Sequence, residues 1–360
     1  MVGTDEVASV ARRFSLAGPV SAVAPIEVGI INATFLVSCG ATRYVVQRLN
    51  ATVFGDAEAV LANVARVSEH VARKVALSGG RTLTLVLAVA GGGWLRDEGG
   101  SYWRCYDFLE GCKSVNSVAT LGQAREAGRA FGEFLRLVGD LPAAELVETI
   151  PDFHQTAVRY ERLLAAVHAD RCGRAGGVAA ELAAIRQREP LTTRFQALEE
   201  RGVVRRRVVH NDTKINNVMF DEVTGKAVCV IDLDTVMPGL ALHDFGDLVR
   251  SAANPAAEDE RDLEKVVPRM DVFGALAEGF LAGAGDALSE SERRELAVAP
   301  QVLALELAMR FLTDHLCGDV YFQIQRAGQN LDRCRAQLAL LGGFEAAEQE
   351  MTRRIAQLSC

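Results

Sequence analysis

The stretch that decides the fold runs from Val208 to Leu233, VVHNDTKINNVMFDEVTGKAVCVIDL. A short apolar run leads into a polar knot, and a hairpin follows that ends in a carboxylate. Within the knot, His210, Asp212 and Asn217 stand at the spacing H-x-D-x-x-x-x-N. Asn217 to Phe220 reads as a strand, Asp221 to Lys226 as a turn carrying Thr224-Gly225, and Val228 to Ile231 as the return strand. Because a hairpin brings its two ends together, Asp232 is expected to face Asn217 across the open end, with Asp234 on the same side by the two-residue period.

This residue set suits phosphoryl transfer from ATP to an alcohol. The attacking hydroxyl has to be aimed in line and its proton accepted, and one carboxylate, Asp212, can do both. The phosphates need Mg2+, a hard cation that takes oxygen ligands, so the Asn217 amide and the Asp232 carboxylate are the expected metal ligands. The same spacing marks the catalytic loop of protein-kinase-type enzymes. Lys214 is expected to lend positive charge to the moving phosphoryl group; the plain alternative is a lysine that pairs with a nearby carboxylate. For the knot as a whole, the plain alternative is a polar turn bonded only to its own backbone. Asp244-Phe245-Gly246 copies the D-F-G letters of protein kinases but lies beyond Met237-Pro238-Gly239, outside the hairpin, so its carboxylate is expected to cap a helix or brace the loop.

With these residues in view, the motif resembles the aminoglycoside phosphotransferase and choline kinase superfamily of small-molecule kinases. The longer wording HNDTKINNVMFDEVTGKAVCVIDLDTVMPGLALHDFGDLVR resembles one branch, the bacterial N-acetylhexosamine 1-kinases, and INATFLV, YVVQRLNATVF, SYWRCYDFLEG and IPDFH extend the likeness over most of the chain. The resemblance implies a two-lobed protein-kinase-like fold, ATP and Mg2+ as cofactors, and the anomeric hydroxyl of N-acetylglucosamine or N-acetylgalactosamine as acceptor. It also implies a phosphate-covering turn carrying Asn32 and Thr34. This turn lacks the G-x-G-x-x-G of protein kinases and has only Gly29.

Composition agrees with that class. A chain of 360 residues, 49% hydrophobic, can bury a large core, and its net charge of −8 argues against a general nucleic-acid binder. The eight cysteines show no C-x-x-C pair and no zinc spacing with histidine, so they read as reduced packing residues. No uncharged run is long enough for a membrane span and MVGTDEVASVARRF has no signal-peptide pattern, so a cytoplasmic location is expected, with no membrane partner and a monomer or weak homodimer.

Ahead of the motif, residues 5–17 read as a helix and Ile26, Val28 and Ile30 as the start of a strand paired with Phe35 to Cys39. RYVVQRLN (43–50) reads as the next strand, with Arg48 as the available cation for the α- and β-phosphates and Gln47 on the other face. Asp56 opens a long helix with an apolar stripe at Val60, Leu61, Val64, Val67, Val71 and Val75, and Glu58 or Glu69 is within reach of the strand cation, the plain alternative being a solvated glutamate. Leu83 to Val89 reads as a strand, and Tyr102 to Leu109 as another. The linker YDFLEG offers its backbone to adenine, at Asp107 and Leu109.

Beyond it the character turns helical, with 121–138, 157–200, 241–253, 257–285, 288–317 and 328–356 all periodic. Arg310 and Asp314 place charge inside an apolar stretch, which is costly unless paired. Together with Tyr321, Arg310 is expected to contact the sugar; an Arg310–Asp314 pair one turn apart is the plain alternative. His154 and His168 read as structural or exposed. The expectation is therefore an α+β fold: a nucleotide-binding lobe over 1–105, a hinge linker over 106–111, and a larger, mainly helical lobe over 112–360. Another acceptor (choline, an aminoglycoside or a different sugar) or a nucleotide-binding protein without turnover are the competing readings.

Overall fold

A computed structural model describes residues 2–26, 32–50 and 54–358. The chain forms two compact units, one from Met1–Lys113, Asp140–Pro151 and Met219–Pro238, the other from Ser114–Gly139, Asp152–Val218 and Gly239–Cys360. The expected α+β class is what forms, an antiparallel sheet unit and a mainly helical unit.

The strands are β1 (Ala22–Pro25), β2 (Ala33–Cys39), β3 (Thr42–Arg48), β4 (Trp94–Arg96), β5 (Tyr102–Asp107), β6 (Cys112–Lys113), β7 (Arg207–Val209), β8 (Val218–Asp221) and β9 (Ala227–Val230). The first five make one antiparallel sheet in the order β1-β2-β3-β5-β4. Val7 and Val10 of helix α1 (Thr4–Ala11) share a core with Phe35, Val37, Tyr44, Val46 and Trp103 on one face of that sheet. Alternation along the strands then sends Gln47 and Arg104, which face each other across β3 and β5, to the opposite face.

Two expectations for this unit are corrected. The first strand begins at Ala22 and takes in Pro25 opposite Phe35, a place open to proline because β1 is an edge strand. Val28, Gly29, Ile30 and Ile31 lie outside the described residues. Leu83–Val89 is not a regular strand but makes single bridges: its backbone bonds are split between β5, through Val86 and Thr84, and the 13–15 segment, through Leu87 and Val89. The place beside β5 goes instead to β4, which the sequence reading passed over.

Helix α2 (Ala57–Leu77) starts where expected, with the Asp56 carboxylate accepting from the Ala59 amide and the predicted stripe buried as far as Val71, Val75 being half-buried. Asn63 interrupts the stripe and is buried too. Its amide donates to the Val147 and Val236 carbonyls and its oxygen accepts from the Val147 amide, so α2 is tied to two distant segments of its own unit. Glu58 takes the Tyr102 hydroxyl and Glu69 is exposed, so neither is shown serving a strand cation. The motif hairpin forms as β8 and β9, with β6 on its outer side, and its turn is closed by Asp221 accepting from Val223 and Thr224.

The helical unit holds α3 (Leu121–Leu137), α4 (Thr156–Ala169), α5 (Ala179–Arg186), α6 (Glu189–Thr192), α7 (Arg194–Glu200), α8 (Ala241–Ala252), α9 (Met270–Ala284), α10 (Glu290–Glu295), α11 (Ala299–Cys317) and α12 (Gln329–Leu358). The helix expected from 257 starts only at Met270, because Pro268 disfavours helical backbone before it. The one expected from 288 is split, and α11 opens with Pro300 in its first turn. The stretch Glu290–Cys317 is long and apolar enough to cross a membrane, yet 83% of its apolar window is buried within the fold. Helices α3 and α9 meet backbone to backbone: a Cβ added at Gly128, Gly132, Gly279 or Gly283 would land inside contact distance of the facing helix's main chain.

Candidate functional site

In the helical unit, buried β7 delivers the chain into the knot at His210. His210 is fully buried and packs edge-on against Phe131 and Phe134 of α3, at centroid distances of 5.4 and 5.6 Å. Asn211 follows with φ +63°, a left-handed conformation that asparagine tolerates better than most residues. Asp244, in the first turn of α8, holds this turn: its two oxygens accept from the His210 amide at 2.9 Å and the Asn211 amide at 2.7 Å. The Thr213 hydroxyl donates to the Asp244 carbonyl. The D-F-G letters therefore brace the loop, as expected from their position. Burial pushes the Asp244 carboxyl up to about 7, against the pull of the two amides.

The bracing presents Asp212. Lys214 Nζ lies 3.1 Å from its carboxylate, and the Asn217 amide nitrogen donates to the Asp212 carbonyl at 2.9 Å and its carboxylate at 3.3 Å. With its nitrogen turned to Asp212, Asn217 keeps its carbonyl oxygen as the donor a hard cation would use. The structure thus brings Asp212, Lys214 and Asn217 together. Lys214 pairs with the carboxylate and stays 45% exposed.

In the sheet unit, Asp232 closes the hairpin in a left-handed conformation, φ +63°, and is exposed. A short 3-10 turn, Leu233–Thr235, follows; Asp234 within it is buried, and both Asp232 and Asp234 act to raise the Arg104 pKa. Asp234 accepts from the Arg104 guanidinium and, at 2.7 Å, from Asn32. Arg104 Nε donates to Gln47 at 2.9 Å, Gln47 donates to Thr34 at 3.1 Å, and the Asn32 oxygen accepts from the Asn50 amide. Burial alone would lower the Arg104 pKa, but the Asp234 carboxylate outweighs it and the net direction is up.

Of the sequence candidates, Asn32 and Thr34 belong to this network. Arg48 lies on the other face of β3, opposite Trp103, where its charge helps to lower the pKa of Asp97. Asp107 ends β5 exposed, and the Leu109 amide has no partner among the described residues. Among the described residues no three His, Cys, Asp or Glu side chains gather as a metal cluster. Arg104 was missed, although a charge inside Tyr102–Tyr106 carries the same signal that singled out Arg310.

On the acceptor candidates the structure removes the plain alternative. Asp314 does not pair with Arg310; its carboxylate accepts from the Val320, Tyr321 and Phe322 amides at 2.8–2.9 Å and so builds the turn that carries Tyr321. Arg310 is boxed by rings, 5.1 Å from Phe153, 5.9 Å from Tyr321 and 5.5 Å from Phe322. It makes no hydrogen bond or ion pair with any described residue. Arg159 adds a second positive charge: burial, and then the charge of Arg310, push its pKa down to about 10.

The APH phosphotransferase enzyme family matches the chain over residues 22–296. Solved structures of like fold include a microcompartment-associated aminopropanol kinase, 14% identical with TM-score 0.62, the match covering 97% of this chain and 98% of that one. A spectinomycin phosphotransferase in complex with ADP and its antibiotic is 11% identical, TM-score 0.58, covering 96% and 99%. Choline kinase from Cryptosporidium parvum is 12% identical, TM-score 0.56, covering 99% of each chain.

Proposed function

The chain belongs to the APH phosphotransferase enzyme family, and from that premise we propose that it is an ATP-dependent kinase for the anomeric hydroxyl of an N-acetylhexosamine, giving the 1-phosphate. Asp212 orients that hydroxyl and takes its proton as the oxygen attacks the γ-phosphorus and the bond to ADP breaks. Lys214 offsets charge on the transferring group. The oxygen donors of Asn217 and Asp232 suit Mg2+, which when bound neutralises charge on the phosphates. Asn32 and Thr34 serve the phosphate side, joined by Arg104 in the place expected of Arg48, which faces Trp103 and Asp97 instead, and the backbone of Asp107 and Leu109 serves adenine.

One observation carries the choice of acceptor: Arg310, ringed by Phe153, Tyr321 and Phe322 and accompanied by Arg159, makes no hydrogen bond or ion pair with a described residue. Such a wall repels choline or a polycationic aminoglycoside, and it suits a neutral sugar whose amide carbonyl accepts from the guanidinium while an aromatic ring covers the pyranose. The test is ADP release with N-acetylglucosamine, N-acetylgalactosamine, glucose, choline and kanamycin as acceptors. Preference for the acetamido sugars, lost in KM when Arg310 is replaced by alanine, supports the reading. Faster turnover of choline or kanamycin overturns it, and no turnover of any acceptor favours a nucleotide-binding protein without catalysis. Asp212→Asn is expected to lower kcat by roughly 10²–10⁴-fold.

A further inference from the structure

His154 lies outside the catalytic motif, yet its ring touches the loop that carries Asp212. Nδ1 is 2.8 Å from a Glu306 carboxylate oxygen and Nε2 is 3.1 Å from the Asn211 carbonyl oxygen. Both partners are acceptors only, so both ring nitrogens have to carry hydrogen, and that is the imidazolium form. The His154 and Glu306 side chains are 6% and 0% exposed, and the second Glu306 oxygen accepts from the Thr156 hydroxyl at 2.8 Å. A buried ion pair of this kind is costly to desolvate unless every site is satisfied, and here the third contact is the catalytic loop itself.

The Asn211 carbonyl and the Asp212 amide belong to one rigid peptide plane. Asp244 holds the chain before that plane, through the His210 and Asn211 amides. His154 holds the plane itself. Rotation of this one peptide would swing the Asp212 Cα and re-aim its carboxylate.

We infer that His154, kept as an imidazolium by Glu306, is a positioning residue for Asp212, so that turnover depends on a buried proton remote from the transferred phosphoryl group. The inference rests on Asp212 being the base.

The surroundings agree. His243 of α8 stacks on His154 at 4.7 Å, but its Nδ1 accepts from the Leu240 amide, so it is the neutral ring of the two. Burial and the charge of His154 lower its pKa. For His154, burial works downward, the Glu306 charge and the two hydrogen bonds work upward, and the net direction is up. Burial would raise Glu306, but His154 and Arg310 bring it down to about 2. The other charged groups acting on this set are Asp244 and Asp247 of α8, Arg159 of α4, and Arg206. With the His154 pKa raised, the clamp is complete below the ordinary histidine range and is lost as pH rises through the folded value.

The test has two arms. In wild-type protein labelled with 15N-histidine, the His154 ring, assigned by its loss in His154→Asn or its shift in Glu306→Gln, is expected to show two protonated nitrogens at pH 7.5. One bare nitrogen there overturns the inference, whatever the kinetics. In Glu306→Gln, kcat is expected to fall roughly 10- to 100-fold while the KM for ATP changes little. The alkaline limb of its kcat profile is expected about 1–3 pH units lower. A loss that only tracks the folded fraction, with the shape of the profile unchanged, means a structural role and overturns positioning. Asp212→Asn, run alongside, separates the two readings: turnover retained there removes the base and leaves the imidazolium signal in place.

Discussion

Asp234 and Asp244 are both buried, and the two units treat them differently. In the sheet unit Asp234 is met by a guanidinium, Arg104, and by the Asn32 amide. In the helical unit Asp244 is met by two main-chain amides, with no cation among its hydrogen-bond partners. An arginine stays charged at any working pH, so the first arrangement has a cation that does not titrate. Amides supply only partial charge, so burial still pushes the second carboxyl up to about 7. One unit is fixed by a full charge, and in the other the loop that carries Asp212 hangs on a carboxyl that burial pushes up to about 7.

Substitutions at the two carboxylates and their partners test this contrast. The largest effect is expected for Arg104→Ala, which strands Asp234 without its countercharge and costs about 3–5 kcal/mol in urea denaturation. Replacing both partners, Arg104→Met with Asp234→Leu, recovers most of that; a single-variant cost near zero abolishes the distinction. Next is Asp244→Asn, which leaves one loop amide without an acceptor at a cost of about 1–3 kcal/mol.

The same variant also reports on pH. A carboxyl raised in the folded state contributes stability that is full below its unfolded value of about 4. That contribution is lost as pH climbs through about 7. Wild-type stability is therefore expected to fall across that window relative to Asp244→Asn, and parallel curves remove Asp244 as the titrating group. The smallest change is Thr213→Val, losing one hydroxyl bond to the Asp244 carbonyl, at about 0.5–1.5 kcal/mol. It is read as a shift in the urea midpoint at constant slope.

What the sequence disclosed follows from distance along the chain. Asp212, Lys214 and Asn217 lie within six residues, so their meeting is local and their spacing reveals it. The hairpin and the start of α2 were legible for the same reason, since Asp221 and Asp56 act on amides two or three residues ahead. Arg104 and Asp234 are 130 residues apart, and His154 and Asn211 57, so no periodicity links them. Register was hidden too: alternation separates Gln47 from Arg48, but only pairing with β2 and β5 shows that Gln47 shares a face with Thr34 and Arg104. Arg310 was visible as a charge in an apolar run. Its choice between Asp314 and a ring of aromatics was not, because the amides that claim Asp314 come from a turn beyond the end of α11.

The four glycines where α3 and α9 touch have a consequence for the catalytic loop. Phe131 and Phe134 sit on α3 among those glycines, and they are the surface on which the His210 ring rests. At these four positions no side chain separates the helices, so the approach of α3 is set there by main-chain atoms. A single methyl at Gly279 would have to lift α3 bodily, carrying both rings with it. Evolutionary drift at these four positions should therefore show up first as a misaligned loop, and only afterwards as a loosened core.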